Sequence, residues 1–248
     1  CWKRHMWDNH RALGSLASFL TGLALLMGLV AGGYWLAHSP WFPVRVIRID
    51  GTLKHVTPEQ LKLVAESELR GTFFTLNLDA TRETFEKLPW VRQAVVRRQW
   101  PDRLDIVIEE YEAAARWKHA GLLSTQGEWF DAATSESMPV VDGPGGSEPD
   151  LAQALERFGQ TLQPAGLKIA ELVLSDRRAW RMKLDNGLEL ELGRDEVGPR
   201  LDRFVAIWRQ ELSRLPYRME YVDLRYPNGF AVKMPDYVPG RQPARPAA

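Results

Sequence analysis

Cysteine is nearly absent from this chain of 248 residues, which contains only Cys1. A disulfide within the chain and a structural metal site built on cysteines are therefore excluded. Because the sequence begins with Cys1 and not with Met, we expect it to be a fragment whose N-terminal beginning is missing. A lipid-modified mature N-terminus that begins with cysteine is the alternative interpretation.

Net charge is lacking as well, because 32 Lys and Arg residues balance 32 Asp and Glu residues. A chain without excess positive charge has no broad field that attracts phosphates, so we predict that it does not bind nucleic acid. Charged residues make up 26% of the chain and hydrophobic residues 45%. These proportions are ordinary for a globular protein with a buried core.

Sequence motifs of catalysis are absent too. The chain has no G-x-S-x-G, no P-loop and no G-x-G-x-x-G, and its histidines form no H-E-x-x-H pair. Three carboxylates, Glu109, Glu110 and Glu112, cluster at a strand end, where a solvated edge is the simpler interpretation. We therefore predict no catalytic residue, no cofactor, no metal ion and no small-molecule substrate.

Charge is wholly absent from one long segment, the 26 residues from Ala12 to Ala37. As a helix, this segment would be about 39 Å long, which is enough to cross a hydrocarbon core of about 30 Å. Aromatic residues gather at its far end, as in the interfacial belt of membrane proteins: Tyr34, Trp35, Trp41 and Phe42. The sequence therefore predicts a transmembrane helix at residues 12–37.

The charges that flank this helix predict its orientation. Lys3, Arg4 and Arg11 precede it, opposed only by Asp8, so the positive-inside rule makes residues 1–11 a cytoplasmic stub and places the rest outside the cytoplasm. A cleaved signal peptide is the alternative, but the apolar run is longer than a typical signal core and no small-x-small site closes it.

Small residues recur at every fourth position within this helix, at Ala24, Gly28 and Gly32. This spacing lets two transmembrane backbones approach closely, so these residues are candidate packing positions. The alternative is a helix without a specific partner, since glycine is common in such helices.

Residues 43–112 predict a compact β-α-α-β-β unit. Thr57 is a good helix N-cap, with proline at the first helical position and Gln60 at the capping-box position, and Gly71 ends that helix. In the first strand, the apolar residues change face between Val46 and Ile47, which predicts a β-bulge. The five elements are expected at 44–50, 57–71, 79–88, 91–99 and 103–111.

Residues 113–236 predict a second unit, rich in strands and covered by two amphipathic helices, so that the whole chain is of the α+β class. A three-residue loop at 185–187, with Gly187 in the left-handed conformation, sets the register of one hairpin. The same logic applied to 227–229 sets the last hairpin, and residues 237–248 are expected to be a disordered tail. The predicted pairs are Met182 with Leu190, Trp180 with Leu192 and, on the solvent face, Arg181 with Glu191, then Tyr226 with Phe230, Leu224 with Val232, Val222 with Met234 and Asp223 with Lys233. The helices carry Leu151, Leu155, Phe158 and Leu162, and Leu201, Phe204, Trp208, Leu212 and Leu215.

Four short motifs resemble, in order, segments of the FtsQ/DivIB family of bacterial cell-division proteins. They are Leu88-Pro89-Trp90-Val91 with Val96-Arg97-Arg98-Gln99-Trp100-Pro101-Asp102, then Arg178-Ala179-Trp180, Leu192-Gly193-Arg194 and Tyr221-Val222-Asp223-Leu224-Arg225-Tyr226. The resemblance covers roughly residues 12–236.

The resemblance implies a POTRA domain at 43–112 and a β domain at 113–236, on the periplasmic face of the inner membrane at the division septum. It implies a non-enzymatic, single-pass type II scaffold that links early and late division proteins. The implied partners are the bitopic proteins FtsB and FtsL, with the septal synthase FtsW/FtsI as a further candidate. Position by position, it implies an FtsB contact at Arg178, Arg225 and Tyr226 with Gly229 in the adjoining turn, and POTRA contacts at Gln93, Val96 and Arg98.

A physical mechanism follows if the final strand lies at the edge of its sheet. Such a strand leaves backbone N–H and C=O groups unpaired, and a partner segment can add a strand there. Residues 230–234 are the candidate edge, which adds Phe230 and Val232 to the predicted contact. Arg178 and Arg225 would pair with partner carboxylates if they lie close together; the alternative for each is a solvated surface charge.

Two other functions remain open from the sequence. A membrane-anchored enzyme or cell-wall-binding module would have a pocket with converging polar or titratable groups in the second unit. A chaperone for polypeptide transport is the third hypothesis, and a single POTRA repeat argues against it.

Overall fold

The computed structural model describes residues 10–39, 41–44, 46–51, 53–68, 71–227 and 229–237. They form two compact units, whose boundary along the chain falls between Glu110 and Tyr111. The expected cytoplasmic stub, up to residue 9, and the expected tail, from residue 238, lie outside the described residues. The elements of the first unit are α1 (His10–Ala37), β1 (Val46–Asp50), α2 (Pro58–Glu68), α3 (Leu78–Glu86), β2 (Val91–Gln99) and β3 (Arg103–Glu110).

The helix α1 contains the predicted transmembrane segment. Its 24 residues from Gly14 to Ala37 have a mean hydropathy of 1.9, and none of this apolar stretch is buried against the protein. At about 1.5 Å per residue, such a helix is long enough to cross a bilayer core. The space around Gly28 and Gly32 is open, so their role in helix packing, together with that of Ala24, stays a prediction.

The first unit has the predicted β-α-α-β-β order. Its three-stranded sheet runs β1-β3-β2, with β1 parallel and β2 antiparallel to β3. Thr57 and Gln60 form the expected capping box at the start of α2. The second helix begins at Leu78, one residue earlier than predicted, because the Asn77 side chain accepts hydrogen bonds from two backbone N–H groups of its first turn. Both helices cover one face of the sheet and bury Leu61, Ala65, Phe85, Leu104 and Ile106.

The predicted bulge in β1 is wrong. The pairing runs without interruption from Val46 opposite Arg103 to Asp50 opposite Val107. β1 is an edge strand, and its beginning is covered on neither face, so Val46 and Ile47 are both exposed. Apolar side chains can therefore point to opposite faces at these two consecutive positions without an inserted residue. The irregularity of this sheet lies in β2 instead, between Val91 and Gln93.

Glu110 is not the solvated carboxylate that the sequence suggested. Its side chain accepts hydrogen bonds from the backbone N–H groups of Lys54 at 3.0 Å, His55 at 3.2 Å and Val56 at 2.9 Å. Burial would raise the pKa of Glu110, but these donors outweigh it and hold the pKa below its ordinary value. The end of β3 is thereby joined to the loop before α2.

A Glu110→Gln variant is expected to loosen this loop, because an amide accepts the three bonds more weakly than a carboxylate. We expect local opening to become easier by about 1 kcal/mol at pH 7, measured as amide hydrogen exchange of residues 54–56 in the full chain. Since the folded pKa is lowered, the carboxylate stabilises fully above its ordinary pKa of 4.5, and this contribution is lost as the pH falls through the lowered value. A difference between variant and wild type that does not shrink in acid would contradict the assignment.

The second unit is a nine-stranded sheet covered by two helices. Both helices lie on the same side and bury Leu151, Phe158, Leu201 and Phe204 against the sheet. Leu215, which the sequence placed on the second helix, is exposed because the chain is already extended there. The elements are β4 (Ala113–Trp117), β5 (Leu122–Ser124), β6 (Trp129–Phe130), β7 (Val140–Asp142), α4 (Glu148–Leu162), β8 (Ile169–Leu174), β9 (Trp180–Leu184), β10 (Glu189–Gly193), α5 (Val197–Gln210), β11 (Tyr221–Asp223) and β12 (Ala231–Lys233). The strand order is β12-β11-β10-β9-β8-β7-β4-β5-β6.

The register of the β9–β10 hairpin is largely as predicted. Met182 lies opposite Leu190, and Gly187 has a φ of +86° in the turn. Trp180, however, lies opposite Gly193 and not Leu192, because a bulge after Glu191 inserts one residue.

The predicted register of the last hairpin is wrong by two residues. Val222 lies opposite Val232, and not opposite Met234. The Leu224 N–H donates to the Glu191 carbonyl of β10 at 2.9 Å, so β11 also pairs in parallel with β10. After Asp223 the chain leaves the β11–β12 ladder, and the connection to β12 is therefore longer than three residues.

Candidate functional site

The final strand β12 lies at an edge of the nine-stranded sheet. It pairs with β11 on one side, and no strand among the described residues pairs with its other side. The opposite edge of the sheet is formed by β6. The open edge that the sequence predicted within residues 230–234 is therefore present in the described part of the chain.

The hydrogen bonds of β11 determine which backbone groups of β12 face outward. Because the Leu224 N–H points to β10, alternation along the strand turns the backbone groups of Tyr221 and Asp223 toward β12. The backbone N–H and C=O groups of Lys233 and Ala231, which lie opposite Tyr221 and Asp223, therefore pair with β11. The N–H and C=O of Val232, which lies between these two residues, point away from the sheet.

Side chains of β12 alternate between the helix-covered face and the solvent. Phe230 and Val232 pack against the core, and the Phe230 ring centroid lies 6.4 Å from that of Phe204. Ala231 and Lys233 are exposed. Phe230 and Val232, the two predicted contacts on this strand, would therefore meet a partner mainly through their backbone groups and not through their side chains.

Arg225 forms a close ion pair with Asp223. The buried Asp223 carboxylate accepts bonds from Nε at 2.9 Å, from Nη2 at 2.7 Å and from the backbone N–H of Arg225 at 3.0 Å. This guanidinium holds the pKa of Asp223 below its usual range, and the carboxylate raises the pKa of Arg225. The stem of Arg225 lies across the end of β10, since a Cβ on Gly193 would meet its Cγ at 3.1 Å.

Arg178 lies in the turn between β8 and β9, in the left-handed conformation with a φ of +61°. Its Nη1 contacts Asp150 Oδ2, in the first turn of α4, at 2.6 Å. Arg178 and Arg225 lie at the same end of the sheet, because β9 begins where β10 and β11 end. Each arginine already pairs with a carboxylate of its own chain, so a partner carboxylate would share or replace that pairing.

Tyr226 and Gly229 lie in the connection between β11 and β12. The Tyr226 side chain is 54% exposed, so its ring is free to contact another molecule. Arg203 of α5 donates to the Pro227 carbonyl at 2.6 Å and ties this connection to the helix. No sequence pattern indicates this role for Arg203, since its partner is a backbone carbonyl.

A row of charged residues crosses the face of the sheet opposite the helices. Arg181 lies 2.9 Å from Glu191, which is opposite Asp223. The neighbouring Tyr221 has a raised pKa because it is partly buried and lies near these carboxylates. The sequence predicted the pair Arg181–Glu191, but the extension to β11 depends on the parallel pairing of β10 with β11, which no local pattern indicates.

The three predicted POTRA contacts all lie on β2. Gln93 is exposed, and Val96 packs against the domain core. The Arg98 guanidinium donates to the Leu76 carbonyl. Because residues alternate along a strand, Val96 and Arg98 share one face and Gln93 lies on the other. The three residues therefore do not form one patch on a single face.

The second unit contains an open cavity of about 750 Å³ beside α4. Its wall is mostly apolar or small, and its two charged residues, Glu156 and Lys168, are exposed to solvent. Among the described residues, no group of three or more His, Cys, Asp or Glu side chains is placed to hold a metal ion. Polar side chains also line it, at Thr125, Gln160 and Gln163, so the hypothesis of a membrane-anchored enzyme or cell-wall-binding module stays a prediction.

Two family models match consecutive parts of the chain. One, described as "POTRA domain, FtsQ-type", matches residues 42–111. The other, described as "Cell division protein FtsQ/DivIB, C-terminal", matches residues 115–225. The solved structure of "POTRA1-2 of the periplasmic domain of Omp85 from Anabaena" is 10% identical with a TM-score of 0.25, covering 54% of this chain and 93% of that one.

Relatives described as "Cell division protein FtsQ" match nearly the whole chain. That of Nitrosospira multiformis is 43% identical over 92% of this chain and 99% of its own length. That of Burkholderia pseudomallei is 41% identical over 92% of this chain and 94% of its own length. That of Neisseria gonorrhoeae is 30% identical over 96% of this chain and 99% of its own length. The chain therefore belongs to the FtsQ/DivIB family of cell-division proteins.

Proposed function

We propose that this protein is a non-enzymatic scaffold of the divisome that binds FtsB- and FtsL-type bitopic proteins by strand addition at β12. The observation that carries the proposal is the open edge of β12, where the N–H and C=O of Val232 point away from the sheet. A partner segment in extended conformation would pair with these groups and continue the sheet.

Side chains near the edge supply specificity in this proposal. Tyr226 before β12 and Lys233 within it are exposed, and Arg225 lies at the end of the neighbouring strand. A partner strand that carries carboxylates at matching positions would gain charge-assisted bonds there. The septal synthase FtsW/FtsI is proposed as a further partner, reached through the assembled complex.

Topology completes the proposal. The N-terminus lies in the cytoplasm and α1 spans the inner membrane, so that the POTRA domain (43–112) and the β domain (113–236) lie in the periplasm at the septum. The arginines and lysine before the apolar segment support this orientation. Gln93, Val96 and Arg98 are proposed as a second contact, in which the partner meets both faces of β2.

A Tyr226→Asp variant tests the edge. We expect roughly tenfold weaker co-purification of the FtsB-type partner encoded in the same genome, because an exposed aromatic contact is replaced by a charge. The matched control is Trp129→Asp on β6, the opposite edge of the sheet, where Trp129 is 47% exposed. Detergent-solubilised full-length chains would be captured and the partner quantified by mass spectrometry.

The comparison of the two edges decides the result. Loss of partner with Tyr226→Asp and retention with Trp129→Asp support binding at β12. Equal retention in both variants, or a loss confined to Trp129→Asp, would refute it.

A further inference from the structure

The loop between α2 and α3 is joined to the end of the membrane helix. The Thr72 hydroxyl donates to the carbonyl of Ala37, the last residue of α1, at 2.6 Å. The Phe73 N–H donates to the Phe42 carbonyl at 2.8 Å, and the Phe74 ring packs edge-on against Phe42 at 5.1 Å. These contacts hold the loop at the level where the chain leaves the apolar segment.

The turn between β2 and β3 lies at the same end of the domain. Val46, where β1 begins, pairs with Arg103, where β3 begins, and its N–H contacts the Asp102 carbonyl at 3.4 Å. Arg98 at the end of β2 donates to the Leu76 carbonyl, which ties this turn to the α2–α3 loop. The described residues of 41–48, 71–76 and 97–105 together form what we call the membrane-proximal end.

Apolar side chains are exposed mainly at this end. Trp100 is 79% exposed and Phe74 50% exposed. Among the described residues between 41 and 110, the exposed large apolar side chains at this end are Trp41, Val46, Ile47, Phe74 and Trp100, and those elsewhere are Leu63 and Val107. Aromatic side chains favour the interface between lipid and water, where the ring is partly desolvated.

Charges at this end suit a phospholipid surface. The described cationic residues here, Arg48, Arg97, Arg98 and Arg103, outnumber the anionic ones, Asp102 and Asp105. Basic residues near a bilayer are attracted to anionic headgroups.

We propose that the membrane-proximal end of the POTRA domain rests on the outer leaflet of the bilayer that α1 spans, with Phe74 and Trp100 in the headgroup region. The occupant of this apolar surface is lipid, because the surface is continuous with the end of the spanning helix through the bond from Thr72 to Ala37. This docking would limit the directions in which the domain can point. It does not depend on the strand edge of the β domain.

Site-specific labelling of the full chain tests the proposal. Cys1 is the sole cysteine, so a Cys1→Ser background accepts one new cysteine at a time, labelled with the environment-sensitive fluorophore NBD. The test positions are Phe74→Cys and Trp100→Cys, and the matched control is Val107→Cys, which is 46% exposed and lies opposite Asp50. Each chain is reconstituted into vesicles of phosphatidylethanolamine and phosphatidylglycerol that contain no other protein.

We expect blue-shifted NBD emission and quenching by doxyl-labelled lipids at positions 74 and 100, and water-like emission without quenching at 107. The label at 100 keeps the test valid if Phe74→Cys disturbs its packing on Phe42. The same water-like emission at all three positions would overturn the proposal.

Discussion

A Val232→Pro variant is expected to bind the FtsB-type partner about a hundredfold more weakly than the wild type. Proline removes the N–H of Val232, which points away from the sheet. Loss of this bond and the unpaired partner carbonyl together cost about 3 kcal/mol, or roughly a hundredfold in Kd. The bonds between β11 and β12 involve Ala231 and Lys233, so the native edge should survive. The Kd would be measured by interferometry with full-length proteins in detergent.

Val232→Ala is the control for this prediction. It removes the same packing of the side chain against the core but keeps the N–H, so we expect less than a tenfold change in Kd. If alanine and proline weaken binding equally, the backbone of this edge does not pair with the partner. Circular dichroism of both variants would show whether the β domain remains folded.

The second large effect is expected in the core behind the edge. Phe204 is fully buried, and its ring contacts Phe230 of the β12 region and Trp208 of α5. A Phe204→Ala variant should lower the free energy of unfolding by about 3–5 kcal/mol, because the cavity left behind cannot fully collapse. Urea unfolding of the full chain in detergent, monitored through the β domain, would measure this loss.

Leu215→Ala provides the comparison, since Leu215 is exposed beyond α5. Its effect should stay within about 0.5 kcal/mol. Equal effects at Phe204 and Leu215 would mean that α5 does not support the sheet edge as the contacts indicate. Weaker partner binding by Phe204→Ala under conditions where it remains folded would connect core packing to the edge strand.

Local patterns predicted those features of the fold that depend on a few neighbouring residues. The capping box of Thr57 and Gln60 depends on short-range hydrogen bonds, for which threonine and glutamine are preferred. The turn at Gly187 depends on a positive φ, for which glycine is preferred. The register at Met182 and Leu190 follows from alternation, because a shift by one residue would turn the apolar side chains to solvent.

Predictions failed where a distant strand decided the outcome. The sequence predicts a short loop for the last hairpin, because Tyr226, Pro227, Asn228 and Gly229 resemble an ordinary turn. The parallel partner β10 instead holds Leu224, and Asp223 binds Arg225, so the chain leaves the ladder early. The sequence indicates a solvated carboxylate at Glu110, because the three N–H donors that surround it lie more than fifty positions earlier in the chain.

For the candidate site, the sequence located the region but not its geometry. It indicates 230–234 as the edge because residues 237–248 contain no apolar segment that could cover it. It did not show that Phe230 and Val232 turn their side chains inward, nor that Arg178 and Arg225 have carboxylate partners within the chain. These facts depend on which strands and helices become neighbours.

The sequence by itself determined that this protein has one long uncharged segment, a β-α-α-β-β unit and a strand-rich unit, because charge content and periodicity are local properties. Tertiary structure alone decided which N–H groups of the edge strand face outward, how far the last hairpin's register shifts, and which arginines are already paired. The physical reason is that strand pairing and ion pairing join residues far apart in the chain, and the free energy of each contact depends on neighbours that no short window contains.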